Sequence, residues 1–264
     1  MNHMHLDIRA EAARYYDLQP APFEGKDIPF YESLILSPKA TVLELGCGTG
    51  RVLVPLASHC AYIHGVDSSE SMLAICREKL ARQKIGPNHA FIEKADICQL
   101  NLGRTFDLIT APFRVFQNLE TDEQVDSFFE TVHLHLAPGG SCVLNVFQPF
   151  ADETTLRQRW KSQDKDSIAW EQAAGNGKLV GYERISRVHG HKLIIYPTLT
   201  YRYYEGEELK GEAILNIVMR CYYPAEFEKL VVGHGFRVLN KWGGYNRETY
   251  GNGPELVIQF AERG

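Results

Sequence analysis

The sequence predicts an α/β protein: an open, mainly parallel sheet flanked by helices, with an antiparallel block set into its C-terminal half. Three observations carry this. Short apolar runs alternate with helix-period segments between Thr41 and Phe147. Longer runs of period two, parted by glycine turns, occupy 167–223. The aromatic residues also change character: residues 1–150 hold 4 Tyr, 10 Phe and no Trp, whereas 151–264 hold 9 Tyr, 3 Phe and 3 Trp. Tyr and Trp join a flat apolar body to a polar tip and suit partly wet pocket walls, so the two halves are expected to do different jobs.

Thr41-Val-Leu-Glu-Leu-Gly46 is a short apolar run ending in glycine, the pattern of a buried parallel strand. A helix is predicted from Arg51 to Ser58, with Pro55 in its first turns, where a missing N–H costs least. Ala61–Asp67 is a second strand. Ser68 and Ser69 offer N-caps to the next helix, Glu70 suits its positive end, and Met72, Leu73, Cys76 and Leu80 recur at helical spacing. Ala90–Glu93 and Phe106–Ala111 are strands. Asp122–Leu136 is a helix ended by Pro138-Gly139-Gly140, and Ser141–Phe147 is the fifth strand. Residues 151–166 are charged and read as loop or short helix. Four β-type runs follow, Ser167–Ala174, Lys178–Val188, Lys192–Tyr204 and Glu212–Tyr223, an antiparallel meander. In it Leu199, Tyr201 and Tyr203 alternate with Thr200, Arg202 and Tyr204, and Leu215, Ile217 and Met219 with Asn216, Val218 and Arg220. That implies one packed face. Pro224–Gly233 is a helix, and Phe236–Lys241 and Glu255–Ala261 are the last strands. Residues 1–264 thus read as one domain, with 151–223 as an inserted antiparallel β lid.

The net charge of −5 and the 44% hydrophobic content describe a globular chain without a broad electrostatic footprint for nucleic acid or anionic membrane. The six Cys form no C-x-x-C pair, which favours buried reduced thiols over disulfides or zinc. Met1–Ala10 has no apolar leader segment, and no run approaches a membrane span, so a soluble cytoplasmic protein is expected. His133 and His135 lie two apart on a helix and make a poor metal pair, so no metal is expected.

Glu44-Leu-Gly46-Cys-Gly48-Thr-Gly50 joins the first strand to its helix. Closely spaced glycines let a backbone turn tightly and bring N–H groups against a ligand. Asp67 ends the second strand, 21 residues after Gly46, where a carboxylate can accept from ribose hydroxyls. Ala95-Asp96-Ile97 places another carboxylate near an adenine amino group. All lie at the carboxyl ends of parallel strands, where open α/β sheets bind ligands. Simpler readings stand beside these: Asp67 as a helix cap, Asp96 as a surface acid, Met72 as core, Cys47 as a small residue filling a tight loop.

On these residues the chain resembles the class I, Rossmann-like S-adenosylmethionine-dependent methyltransferases. Val42–Arg51 matches the first motif of that family and Gly65–Leu73 the next. Ala95-Asp96, Phe106-Asp107 and Leu136–Gly140 fit the later ones. The resemblance covers roughly 40–150 and resumes at 224–262. It implies a seven-stranded sheet in the order 3-2-1-4-5-7-6 with strand 7 antiparallel, and S-adenosylmethionine as cofactor, leaving S-adenosylhomocysteine. It implies that Gly46, Gly48 and Gly50 line the methionine end, that Asp67 binds the ribose, that Asp96 and Ile97 flank the adenine, and that Met72 packs on it. Glu44, Cys47, Ser68, Ala111, Phe113 and Phe116 complete the expected cofactor set. Tyr15-Tyr16, Asp27–Tyr31 and Ala111–Leu119 resemble a bacterial small-molecule subgroup that includes sugar-amine and glycine/sarcosine N-methyltransferases. In that subgroup a β-rich insertion after strand 5 covers the acceptor.

The expected reaction is transfer of a methyl group to an N or O nucleophile of a small molecule. Tyr16 is the candidate that reaches either the cofactor's methionine end or the acceptor. Arg114 follows the fourth strand and either clamps an acceptor carboxylate or phosphate or holds the loop through an ion pair. Gln117, Arg202, Arg220, Tyr222 and Tyr223 are further acceptor-site candidates, the last four for the pocket roof or for a solvent-facing sheet. No residue stands out as a general base. The rival readings are a macromolecular (RNA or protein) methyltransferase and a non-catalytic S-adenosylmethionine-binding protein. Neither nucleic acid nor membrane is expected as a partner, and the chain is expected as a monomer or homodimer.

Overall fold

In a computed structural model, which describes Asp7 and residues 9–263, the strands form two sheets, the second set between the fifth and sixth strands of the first. The segment Met1–Ala10, read above for a leader, lies largely outside the described residues. The first sheet is built from β1 (Thr41–Leu45), β2 (Tyr62–Asp67), β3 (Ala90–Lys94), β4 (Phe106–Ala111), β5 (Leu136–Phe147), β11 (Phe236–Trp242) and β12 (Glu255–Glu262). Its order is β3-β2-β1-β4-β5-β12-β11, with β12 antiparallel to both of its neighbours. This is the predicted seven-stranded arrangement.

Alternating side chains of β1 explain why this sheet is covered on both faces. Leu43 and Leu45 enter one core, with Phe128, Phe129 and Val132 of α5 (Asp122–His135) and Phe227 of α7 (Pro224–Gly233). Val42 enters the other, with Leu53 of α3 (Leu53–Leu56), Leu73, Cys76 and Leu80 of α4 (Glu70–Arg82) and Phe30 of α2 (Asp27–Glu32). Caps fix where helices start. Ser69 Oγ accepts from Met72 N–H at the head of α4. Thr121 and Gln124 form a reciprocal capping box on α5.

The second sheet comprises β6 (Ser167–Ala174), β7 (Gly177–Val188), β8 (Ile194–Glu205), β9 (Glu208–Asn216) and β10 (Met219–Arg220). It follows the short helix α6 (Glu153–Arg159), and all of its pairings are antiparallel. Helix α1 (Ala13–Tyr16) docks on it, with Tyr15 stacked on Tyr201 at 6.2 Å.

Beyond shifts of a few residues at strand ends, such as β9 starting at Glu208 rather than Glu212, three differences from expectation have a physical cause. The helix predicted over 51–58 is only the four residues of α3 plus a 3₁₀ turn at Ala57–His59, because Pro55 has no N–H with which to continue the ladder. Helix α5 ends at His135, and Leu136 already pairs with Phe106 as strand. The Pro-Gly-Gly segment is therefore not a loop before β5 but an irregularity inside it, with Gly139 at φ 81°. The last meander run divides into β9 and β10. Both lie on the same edge of β8, and the break falls where Ile217 N–H donates to Pro197 (3.0 Å), which has no N–H to return.

Gly65 in the middle of β2 sets how closely the β1–α3 loop approaches the sheet. A Cβ there would run into Leu53 and the Cys47 thiol. Overpacking of this kind typically costs about 1–3 kcal/mol. Gly65→Ala should therefore lower the unfolding free energy measured in urea by an amount in that range, and the midpoint with it. An unchanged midpoint would show that the loop is free to move away.

Candidate active site

Asp67, at the carboxyl end of β2, organises the loop after β1. Its Oδ2 accepts from Gly48 N–H (2.8 Å) and its Oδ1 from Ser69 N–H (2.8 Å). One carboxylate thus holds the glycine loop and the start of α4 together. An ionised carboxylate offers about four lone-pair sites, so two remain for a ligand. Gly46 adopts φ 73°, a left-handed conformation that suits glycine, and a Cβ there would strike Val115.

Above this floor lie two cavities, of about 340 Å³ and 260 Å³. Gly48, Met72, Tyr16 and Phe113 line only the larger. Ser68, Ala95, Asp96 and Ile97 line only the smaller. Arg9, Gly46, Asp67, Val115, Asn118 and Ile217 line both, so the two are lobes of one cleft that meet at Asp67. Together they lie in the ~300–1,000 Å³ range of small-molecule sites.

The N-terminal segment closes one side. Asp7 Oδ2 accepts from Ser69 Oγ–H and Ser71 N–H, both at 3.0 Å. Burial works to raise the Asp7 carboxyl, but the hydrogen bonds from Ser71 and Ser69 outweigh it and hold it below its ordinary value. Arg9 donates to Asn118 Oδ1 (3.2 Å). Thr49 Oγ–H donates to Asp17 (2.8 Å), which also pairs with Lys79. Tyr16 reaches the larger lobe edge-on to Phe113. Burial pushes its phenol up to about 12, so at neutral pH the hydroxyl keeps its proton and can donate a hydrogen bond.

The second sheet forms the ceiling of the larger lobe. Ile195, Pro197, Leu199 and Tyr201 of β8, Leu215 of β9 and Met219 of β10 face it, joined by Ile217. Leu199 stands opposite Leu215, and Ile195 opposite Met219, so these side chains share a face. Arg202 and Arg220 have the other parity and point away, contrary to their candidacy for the roof. Arg202 bonds Glu212 (2.6 Å), and Arg220 pairs with Asp122 (2.8 Å).

Other candidates also lie outside the cleft lining. Glu44 sits beneath the loop at 2% exposure, and burial pushes its carboxyl well above the usual range. Cys47 packs into the core under the loop, and Gly50 abuts the Cys76 thiol. Ala111 and Phe116 are fully buried, Phe116 against Phe128, Phe129 and Phe227. Gln117 donates to the Arg220 carbonyl and accepts from Phe147 N–H, each at 2.8 Å, and so pins the loop after β4. Tyr222 is buried in the aromatic core, and Tyr223 donates to the Ala151 carbonyl (2.9 Å). Met72 lies in the lobe of Gly46 and Gly48 rather than in that of Asp96 and Ile97.

Arg114 does line the larger lobe, but its charge is already matched. Its Nε donates to Glu255 Oε1 (3.1 Å), while Asn145 Nδ2 donates to Glu255 Oε2 (2.8 Å) and Asn145 Oδ1 accepts from Arg114 N–H (3.2 Å). Phe113 and Arg114 are both left-handed, at φ 55° and 65°, a strained pair that this network holds in place. Of the two readings left open, the ion pair is the one observed.

The sequence matches the methyltransferase domain family over residues 42–140. It is 24% identical over 205 residues, 78% of each chain, to a Streptomyces venezuelae dTDP-3-amino-3,4,6-trideoxy-α-D-glucopyranose N,N-dimethyltransferase. It is 32% identical over 147 residues to a Streptomyces fradiae dTDP-3-amino-3,6-dideoxy-α-D-glucopyranose N,N-dimethyltransferase, covering 52% of this chain and 54% of the relative. The structure superposes on the CcbJ methyltransferase of Streptomyces caelestis with a TM-score of 0.75, 24% identity and 98% of each chain covered.

Glu255 is buried at the foot of this network, and removing its partner would strand its charge. Arg114→Leu should cost about 3 kcal/mol in chemical denaturation. Removing both charges, Arg114→Leu with Glu255→Leu, should recover much of that loss. A double variant as unstable as the single one would contradict the charge-pair account.

Proposed function

Because the chain is an S-adenosylmethionine-dependent methyltransferase of the class I fold, we propose that it methylates an amine nitrogen of a small molecule of the amino-sugar type. The observation that carries this reading is the two-lobed cleft meeting at Asp67, roofed over its larger lobe by an apolar sheet face. A roofed lobe of about 340 Å³ suits a small acceptor better than an extended polymer. The sugar-amine relatives point to the same class.

In this reading the residues present fit the cofactor. The two spare lone-pair sites of Asp67 take the ribose hydroxyls. Asp96 and Ile97 flank the adenine in the smaller lobe. Gly46 and Gly48 leave backbone room for the methionine end, with Met72 beside them. The protonated Tyr16 hydroxyl lies in the larger lobe, as a donor to the cofactor's methionine end or to the acceptor. When bound, the cofactor supplies a methyl group on a sulfonium, open to in-line displacement by a nitrogen lone pair. The protein's part is to align the acceptor and exclude water. Tyr16 and Phe113 present aromatic faces that favour a cationic centre. The segment 151–223 acts as the lid, and the apolar face of its sheet excludes water from above.

Calorimetric titration with S-adenosylhomocysteine tests the cofactor half of this reading. The intact protein should bind. Asp67→Ala removes hydrogen bonds to a charged acceptor, worth about 1.5–3 kcal/mol, and so should weaken binding roughly 10- to 150-fold. Mass spectrometry should detect methyl transfer to amino sugars and not to their hydroxyl parents. No binding of S-adenosylhomocysteine by the intact protein would overturn the reading.

A further inference from the structure

Among the described residues, the ceiling of the larger lobe carries one charged side chain, that of Glu183 on β7. It stands opposite Leu199 on β8, which in turn stands opposite Leu215 on β9. All three share the face that looks into the lobe, and every other ceiling residue there is apolar apart from the Tyr201 hydroxyl. Glu is a poor strand residue, and an apolar side chain would continue this surface, so packing does not account for its place.

Nor does local ion pairing. Among the described residues, no Lys, Arg or His nitrogen lies within 4 Å of the Glu183 carboxylate and no side-chain hydrogen bond reaches it, whereas the cations around it are matched elsewhere. Arg184 pairs with Asp166, and Arg202 with Asp166 and Glu212. On the opposite wall Arg114 is held by Glu255. Glu183 is exposed, so it stands at the open end of the lobe, where an acceptor enters. The ceiling therefore presents an unmatched negative charge at Glu183, while on the walls the Arg114 charge is neutralised by Glu255 and Arg9 is held by Asn118 where the two lobes meet.

We propose that Glu183 is the acceptor-recognition residue: its carboxylate binds the ammonium group of the incoming amine. The proposal rests on the amine reading above and deepens it, by assigning the residue that selects a cation over a neutral hydroxyl compound or an anion. The same carboxylate has a chemical use. The ammonium gives one proton to it and becomes the neutral amine with a free lone pair. The proton then passes from Glu183 to water at the open rim. The Arg114 clamp for an acidic acceptor is replaced by a carboxylate clamp for a basic one.

The test uses the full chain saturated with S-adenosylhomocysteine and titrated with glucosamine and, separately, with glucose, two probes that differ only in amine against hydroxyl. The wild type should bind glucosamine about tenfold or more tightly than glucose. Glu183→Gln should abolish that preference, and Glu183→Asp should keep part of it. Affinity for S-adenosylhomocysteine should stay unchanged in both variants, which also shows that they fold. A preference that survives in Glu183→Gln would overturn the proposal alone and leave Glu183 a solvated rim charge, whereas equal binding of the two sugars by the wild type would overturn the amine reading together with it. Failure to bind S-adenosylhomocysteine would instead strike at the cofactor reading, so these failures are distinguishable.

Discussion

The cleft depends on one carboxylate that accepts two backbone N–H groups from different elements. Asp67 takes Gly48 N–H on one side and Ser69 N–H on the other. Hydrogen bonds to an ionised acceptor are stronger than neutral ones, and Asp67 is only 9% exposed, so little water competes for it. The effect spreads through Ser69. Its backbone is fixed by Asp67, while its hydroxyl caps α4 and donates to Asp7. Asp7 also accepts from the Arg9 backbone N–H, and the Arg9 side chain reaches Asn118 across the cleft. A chain of polar contacts thus encircles the site from the first sheet through the N-terminal segment to the loop after β4.

The two walls of this cleft are built on opposite principles. The floor is backbone: glycines and the ends of β-strands leave room, with the N–H groups of Gly46, Gly48 and Gly50 taken up by Val66, Asp67 and Cys47. The ceiling is side chain: alternate residues of an antiparallel sheet form a nearly continuous apolar surface. Between them the loop after β4 keeps a strained turn at Phe113–Arg114, supported by Asn145, Glu255 and Gln117. Strain of this kind persists only where the surroundings over-determine it. Here that support comes from β5 and β12, two strands of the rigid first sheet.

Much of this is legible in the sequence, for identifiable reasons. Strands such as Thr41–Leu45 and Phe106–Ala111 are short apolar runs bounded by breakers, and a parallel sheet buried on both faces demands that pattern. The glycine loop and Asp67 are legible because they serve through backbone geometry and a fixed position at a strand end. The ceiling is less so. The alternation of Leu199 and Tyr201 with Arg202 is visible, but a sheet that roofs a cavity turns its apolar face to the ligand. The arginines on the other face are matched by Asp166, Glu212 and Asp122. Contacts between distant residues leave no local trace. Arg114 and Glu255 are 141 residues apart, and nothing near Arg9 or Asp7 marks them as part of a site. The split of β9 from β10 likewise arises from a proline on the partner strand.

The central claim is that one cofactor spans both lobes across Asp67. A crystal structure of the protein with S-adenosylhomocysteine tests it most directly. The account predicts the ribose hydroxyls on the Asp67 carboxylate, the adenine between Asp96 and Ile97, and the homocysteine sulfur in the larger lobe beside Tyr16, pointing toward the ceiling. A ligand confined to one lobe, or one whose ribose makes no contact with Asp67, would contradict it.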